Sequence, residues 1–145
     1  MSFSLDPVLE KDAYPVGDFR LCRLLLMNDS NYPWFILVPR REGLRELYEL
    51  TREDKVSYLL ESNYLSQMLV DIFKAEKLNI AALGNQVSQL HIHHIARFKA
   101  DPSWPKPVWG QVPAKPYEAN ELIRIVESVR AFFSTKLKDI IVNSH

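Results

Sequence analysis

Cysteine is nearly missing: Cys22 is the only one. A lone thiol closes no internal disulfide, so a reducing compartment is expected. It lies in the apolar run "RLCRLLLM", where a buried structural thiol is the expected reading rather than a nucleophile. Charge excess is missing as well. Eighteen Lys and Arg balance eighteen Asp and Glu, which gives no general attraction to nucleic acid or to an anionic membrane. No apolar run approaches the length of a membrane span. The stretch "MSFSLDPVLEKD" is acidic and lacks the basic-then-apolar order of a secretory signal. Repeats and low-complexity tracts are missing too. These absences point to a soluble cytoplasmic protein with no nucleic-acid or membrane partner.

What is present suits one domain over residues 1–145. The apolar fraction is 47% and the charged fraction 25%, ordinary values for a single-core globular chain. Residues 19–27, "FRLCRLLLM", read as a strand, and "NDSNYP" follows as a turn. "WFILVP", residues 34–39, reads as a second strand ended by Pro39. Thr51 is expected to cap a long helix, with Glu53 and Asp54 on its first turn. Leu60, Tyr64, Met68 and Ile72 recur every four residues, and Leu65, Leu69 and Phe73 fill the adjoining row. Lys74 and Lys77 suit the end of that helix. "LNIAALG", 78–84, and the segment around 88–97 read as two more strands. Residues 101–116 hold five of nine prolines and two of three tryptophans, which predicts a stiff loop. A helix is expected over 117–138, with Leu122, Ile125, Val126, Val129, Phe132 and Phe133 on one face. The fold class is α+β, with a mainly antiparallel sheet of about five strands, a long central helix and a C-terminal helix.

Histidine is scarce, yet three of the four residues fall in "SQLHIHHIAR", residues 88–97. Strand alternation puts Gln89, His91, His93 and Ile95 on one face and Leu90, Ile92, His94 and Ala96 on the other. His94 then reads as a core or rim histidine with a hydrogen-bonded ring. His91 and His93 project in parallel. Three readings stay open on strand geometry alone: a partly buried pair without chemistry, two ligands of a metal such as zinc, or phosphoryl chemistry in which a neutral imidazole attacks phosphorus. The metal reading lacks an evident third ligand.

"GNQVSQLHIHHIAR", Gly84 to Arg97, resembles the histidine triad (HIT) superfamily of nucleotide hydrolases and transferases. The family pattern is His-φ-His-φ-His-φ-φ, φ being apolar, after a turn containing Gly and Gln. The first triad position falls on Gln89, the second on His91 and the third on His93. "WFILVPRREGLRELYELTRED" resembles the family block that precedes the helix, so the likeness covers most of 20–97, within a core of 19–97. The resemblance implies a homodimer with paired long helices and nucleotidyl transfer with no metal or other cofactor. His91 would attack the α-phosphate of a nucleotide, expected to be a purine nucleotide. His93 would hold the phosphate and help the leaving group depart. Gln89 would stand in for the first histidine and orient the nucleophile. Asn85 and Gln86 would contact phosphate oxygens, and Asn28 the ribose hydroxyls; Asn28 reads equally as a turn former. Trp34 takes the place of an auxiliary histidine and would stack on a base or fill core. Substrates of the phosphoramidate or dinucleoside polyphosphate type follow. A catalytically weak nucleotide-binding module, a nucleotidyltransferase and a divalent-metal protein are the alternatives. Trp104 and Trp109 read first as loop anchors, second as a lid. Arg40 and Arg41 read as solvated surface rather than phosphate ligands.

Overall fold

The computed structural model describes residues 2–136. Its elements are α1 (Pro7–Asp12), β1 (Ala13–Asp18), β2 (Cys22–Met27), β3 (Trp34–Pro39), α2 (Arg52–Asp71), β4 (Lys77–Ala81), β5 (Ile92–Arg97) and α3 (Ala119–Lys136). The strands form one five-stranded antiparallel sheet in the order β1-β2-β3-β5-β4. This is the expected α+β architecture. Residues 137 and 138, expected to finish the last helix, lie outside the described residues, as does His145. No helix among the described residues is long and apolar enough to cross a membrane.

Both faces of the sheet are covered, which is why β3 and β5 are buried along their whole length. One face carries Leu24, Leu26, Phe35, Leu37 and Ala96 against Leu65, Met68 and Leu69 of α2 and Val126, Val129 and Phe133 of α3. The other carries Leu25, Trp34, Ile36, Val38 and Ile95 against Leu9 of α1 and Val108 of the Pro/Trp-rich loop. The histidines straddle this division. His94 faces the helices, and His93 faces α1 and the loop.

α1 and β1 are absent from the sequence reading. Their cues are local: Asp6 caps α1 by accepting from Val8 N at 2.8 Å, and Pro7 opens the helix. β1 is masked by Pro15 and Gly17. It is an edge strand, where Pro costs no ladder bond, and its register with β2 shifts between Pro15 and Gly17.

Thr51 caps α2 as expected, accepting from Asp54 N at 3.1 Å. The helix ends at Asp71, short of Lys77, because Lys74 turns to φ 59° and Lys77 already opens β4. β4 runs 77–81 and β5 runs 92–97, both shorter than the expected 78–84 and 88–97. The buried stripe of α2 holds at Leu65, Met68 and Leu69 but differs before them. Glu61 and Ser62 are buried, while Leu60 and Tyr64 are 49% and 40% exposed. Glu61 turns inward because its two carboxylate oxygens accept from Leu21 N and Cys22 N at 2.8 Å each. Those two amides lie beyond the reach of solvent, and a carboxylate satisfies both at once. Ser62 turns inward to meet His94 Nε2 at 2.7 Å.

The loop after β5 is held by a buried ion pair. Arg97 meets both oxygens of Asp101 at 2.8 and 3.0 Å and Asn79 Oδ1 at 2.8 Å. Asp101 also accepts from the backbone N–H groups of Phe98, Ser103 and Trp104. The Arg97 guanidinium lies 5.6 Å from the Tyr32 ring and 5.7 Å from the Trp104 ring. Trp104 is therefore a loop anchor. Cys22 is fully buried, and burial followed by the Glu61 carboxylate pushes its thiol pKa well up, so it serves as core. Arg41 pairs with Asp54 at 2.8 Å, and Arg40 donates to the carbonyls of Phe19 and Arg20. Both arginines have structural partners.

Candidate active site

Gly84, at φ 76°, turns the chain out of the β4 segment in the left-handed region that favours glycine. The following residues, Asn85 to Val87, form one wall of a cavity of about 320 Å³. His91 and His93 line its floor with Ile36. Val8, Leu9, Asp12 and Ala13 close it from the N-terminal side, and Met27, Leu83 and Trp109 complete it. The lining thus combines apolar side chains with two imidazoles, two amides and the Asp12 carboxylate.

Each imidazole is held through one nitrogen. His91 Nδ1 lies 2.6 Å from the backbone oxygen of Gln89. A carbonyl only accepts, so Nδ1 carries the proton and Nε2 keeps the lone pair. His93 Nδ1 accepts from Trp34 Nε1–H at 3.0 Å, so its proton sits on Nε2. The ring centres are 5.0 Å apart, and Trp109 stands 5.2 Å from His93. Burial, then the neighbouring His91 and His94 rings, hold the His93 pKa down at about 4. His93 is a neutral hydrogen-bond donor across the physiological range. His94, fully buried, uses both nitrogens: Nε2 on Ser62 and Nδ1 on the carbonyl of Ile92 at 3.1 Å. Its pKa is also held at about 4, by burial. It is the hydrogen-bonded core histidine that alternation predicts.

The cavity gathers His91, His93, Asn85 and Gln86, as the family resemblance implies. It does not gather Gln89. The Gln89 amide accepts from Asp6 N and donates to Ser4 O, each at 2.9 Å, and lines a separate depression with residues 4–7 and 43–45. The alternation argument fails there because the ladder begins only at Ile92. A primary amide also matches the one donor and one acceptor that the N-terminal backbone leaves open. It is the Gln89 main chain that touches His91.

Asn28 and Trp34 line an adjoining cavity of about 440 Å³, which shares Asp12, Met27 and Trp109 with the first. Asn28 Oδ1 accepts from Tyr117 N at 2.9 Å. Trp34 is buried and reaches His93 from the diagonal position on β3. Trp109, taken first as a loop anchor, packs on His93 and on Trp34, 5.8 Å away. Asp12, Leu9, Met27 and Leu83 lie outside the sequence reading. They come from α1, from the end of β2 and from the loop after β4, and no motif marks them. Among the described residues, no three His, Cys, Asp or Glu side chains converge as a metal site would require.

Comparison with known proteins gives a consistent picture. The family model described as HIT domain matches residues 8–100. A histidine triad protein from Marinobacter aquaeolei is 44% identical, with TM-score 0.90, over 93% of this chain and 98% of that one. A histidine triad protein from Sinorhizobium meliloti is 44% identical, with TM-score 0.87, over 89% and 96%. One from Bradyrhizobium japonicum is 40% identical, with TM-score 0.88, over 90% and 98%. No curated protein sequence matches the chain.

Proposed function

The chain belongs to the histidine triad (HIT) family, and on that premise we propose that it is a nucleotide hydrolase. It acts at the α-phosphate through a covalent nucleotidyl-His91 intermediate and releases a nucleoside monophosphate. The observation that carries this reading is the 2.6 Å contact between His91 Nδ1 and the Gln89 carbonyl. It fixes the Nδ1–H tautomer, so that the neutral ring keeps its lone pair on Nε2, and His91 lines the cavity with Asn85, Gln86 and His93.

In the first step the Nε2 lone pair of His91 forms a bond to phosphorus. The bond from phosphorus to the bridging atom breaks, and its electron pair leaves with the departing group. The ring becomes cationic, and the Gln89 carbonyl stabilises that charge through Nδ1–H. Asn85, Gln86 and the Nε2–H of His93 bind the non-bridging and bridging oxygens. In the second step water attacks phosphorus, the N–P bond breaks with its pair returning to His91, and a proton passes to solvent. The apolar part of the lining, Val8, Leu9, Met27 and Leu83, suits a flat base, and we expect a purine. Asn28, at the adjoining cavity, is the proposed ribose contact. No step needs a metal.

A homodimer belongs to the same proposal. Val56, Leu59, Leu60 and Tyr64 of α2 are 40–58% exposed, and their spacing makes one apolar stripe on a helix. A second copy of that stripe is its natural cover.

A catalytically weak nucleotide-binding module is the competing reading. Its support is the commitment of the Gln89 amide to the N-terminal segment, which leaves two imidazoles at the site. Release of nucleoside monophosphate from a panel of adenosine 5′-anhydrides and phosphoramidates, with EDTA present, separates the two. Hydrolysis by wild type and not by His91→Ala supports the hydrolase. Tight nucleotide binding with no turnover of any of them supports the binding module.

A further inference from the structure

We propose that Trp34 is a positioning residue that fixes His93 as a neutral Nε2–H donor, and that this restricts turnover to nucleotides whose leaving group departs as a stable anion. The inference rests on the nucleotidyl-transfer reading above.

The indole N–H is a donor and has no acceptor function. At 3.0 Å from His93 Nδ1 it requires a lone pair there. Imidazolium needs a proton at that same atom, which would set two N–H groups against each other. Packing holds Trp34 in place. It is buried, with the rings of Tyr32 at 6.3 Å, Trp109 at 5.8 Å and His93 at 5.6 Å around it. The other neighbours of His93 offer no compensating charge. Ile36 and Ala81 are its partners on β3 and β4, and Trp109 covers it from the loop. His91 and His94 disfavour a further positive charge. Asp12 shares the cavity, but no carboxylate among the described residues hydrogen bonds to His93. Burial, then the His91 and His94 rings, lower the His93 pKa independently of the Trp34 contact; what Trp34 adds is the choice of tautomer.

The consequence falls on the bond-breaking step. When His91 Nε2 bonds to phosphorus, a bridging oxygen of a phosphoanhydride leaves with its electron pair as a stable oxyanion. No proton is needed, and the His93 Nε2–H hydrogen bond stabilises the developing charge. A bridging nitrogen of an alkyl phosphoramidate leaves as a free amine only if it first gains a proton. A neutral imidazole N–H is too weak an acid to supply it, and the protonated ring is the form that Trp34 suppresses. The substrate class is therefore nucleoside 5′-phosphoanhydrides, polyphosphate or mixed.

The test compares kcat/KM for a dinucleoside polyphosphate and for an adenosine 5′-phosphoramidate of a primary alkylamine. Wild type, Trp34→Phe and Trp34→His are assayed, alongside ¹⁵N NMR of His93. Wild type should favour the anhydride by at least about 100-fold, the lower range for a missing general acid. Either variant should shift that ratio toward the phosphoramidate by about tenfold or more. In wild type, His93 should carry its proton on Nε2 and not titrate between about pH 8 and about pH 5. In Trp34→Phe, where burial and the His91 and His94 rings still oppose the charge, the preference for Nε2–H should be lost and the Nδ1–H tautomer should become populated. Should Trp34→Phe fail to fold, the wild-type spectrum and Trp34→His decide. Equal rates on both substrates, an Nδ1–H tautomer in wild type, or an unchanged ratio in the variants would overturn the inference. No turnover of either substrate by wild type would instead remove the hydrolase reading itself, and the substrate restriction with it.

Discussion

His91 is held by the main chain of Gln89, not by its side chain: Nδ1 lies 2.6 Å from the Gln89 carbonyl, and the Gln89 amide bonds to Ser4 and Asp6. The family motif puts Gln89 in the place of a catalytic histidine, yet the group that touches His91 is a main-chain carbonyl, which does not depend on the side chain. Gln89→Ala should therefore leave kcat within about fivefold of wild type. It should weaken the N-terminal segment by about 1–2 kcal/mol, the cost of two exchanged hydrogen bonds, and so raise KM. Steady-state kinetics with urea unfolding checks this. A loss of kcat by several orders of magnitude would give the amide a direct role in chemistry.

His93 and His94 make stability depend on pH. Both have folded pKa values near 4, whereas unfolded histidine titrates near about 6.5. Above about pH 6.5 both states carry neutral rings, and the full stability is present. Between about pH 6.5 and about pH 4 the unfolded chain binds protons that the folded chain refuses, so stability falls as pH falls. Each ring adds a slope of up to about 1.4 kcal/mol per pH unit. Replacing the buried pair together, Ser62→Ala with His94→Leu, should remove about half of that slope. Ser62→Ala alone should cost about 1–3 kcal/mol at neutral pH by leaving His94 Nε2 without a partner. Denaturant titrations across this range measure both effects.

The Arg97–Asp101 pair predicts a different acid response. Burial alone would raise the Asp101 pKa, but hydrogen bonds from Arg97 and from the amides of Phe98 and Ser103 outweigh it and hold the group at about 2. The contribution of this pair is present above the ordinary carboxylate range and is lost only as pH falls through about 2, so it persists through the histidine transition. Both side chains are nearly inaccessible, at 1% and 3% exposed. Asp101→Asn should cost about 3–5 kcal/mol, because it strands a buried guanidinium. It should also loosen the loop that carries Trp109, seen as a shift in tryptophan fluorescence and a higher KM. An apolar replacement of both partners should cost far less.

The α2 stripe supplies a test of assembly. Leu59→Lys with Val56→Glu places charge on exposed positions and should leave the fold intact. If the proposed dimer forms through this stripe, light scattering should report a dimer for the wild-type chain and a monomer for the variant. A dimer that survives both substitutions would remove α2 from the interface.

Much of this was legible in sequence because it depends on short-range rules. Thr51 as a cap, "WFILVP" as a strand, and His94 facing the core on the side opposite His93 all follow from capping, local composition and alternation. The alignment of His91 and His93 with a family motif carried the rest of the site. What was not legible depends on long-range polar pairing. Glu61 and Ser62 are drawn inward by amides and an imidazole on other elements, so the apolar period of α2 holds at Leu65, Met68 and Leu69 but misplaces Leu60 and Tyr64. Gln89 obeyed the demands of Ser4 and Asp6, 85 and 83 positions away. Trp34 looked like core or a base-stacking ring, and only the register of β3 against β5 brings its N–H to His93.

The most direct measurement is a rapid acid quench of wild type and His91→Ala during turnover of a dinucleoside polyphosphate labelled in the adenosine moiety, followed by mass spectrometry of the digested chain. The expected result is an adenylyl group on His91 in wild type, and none in the variant, whose kcat falls by at least about 10³-fold. Label on another residue, or near-wild-type turnover by His91→Ala, would contradict nucleotidyl transfer to His91.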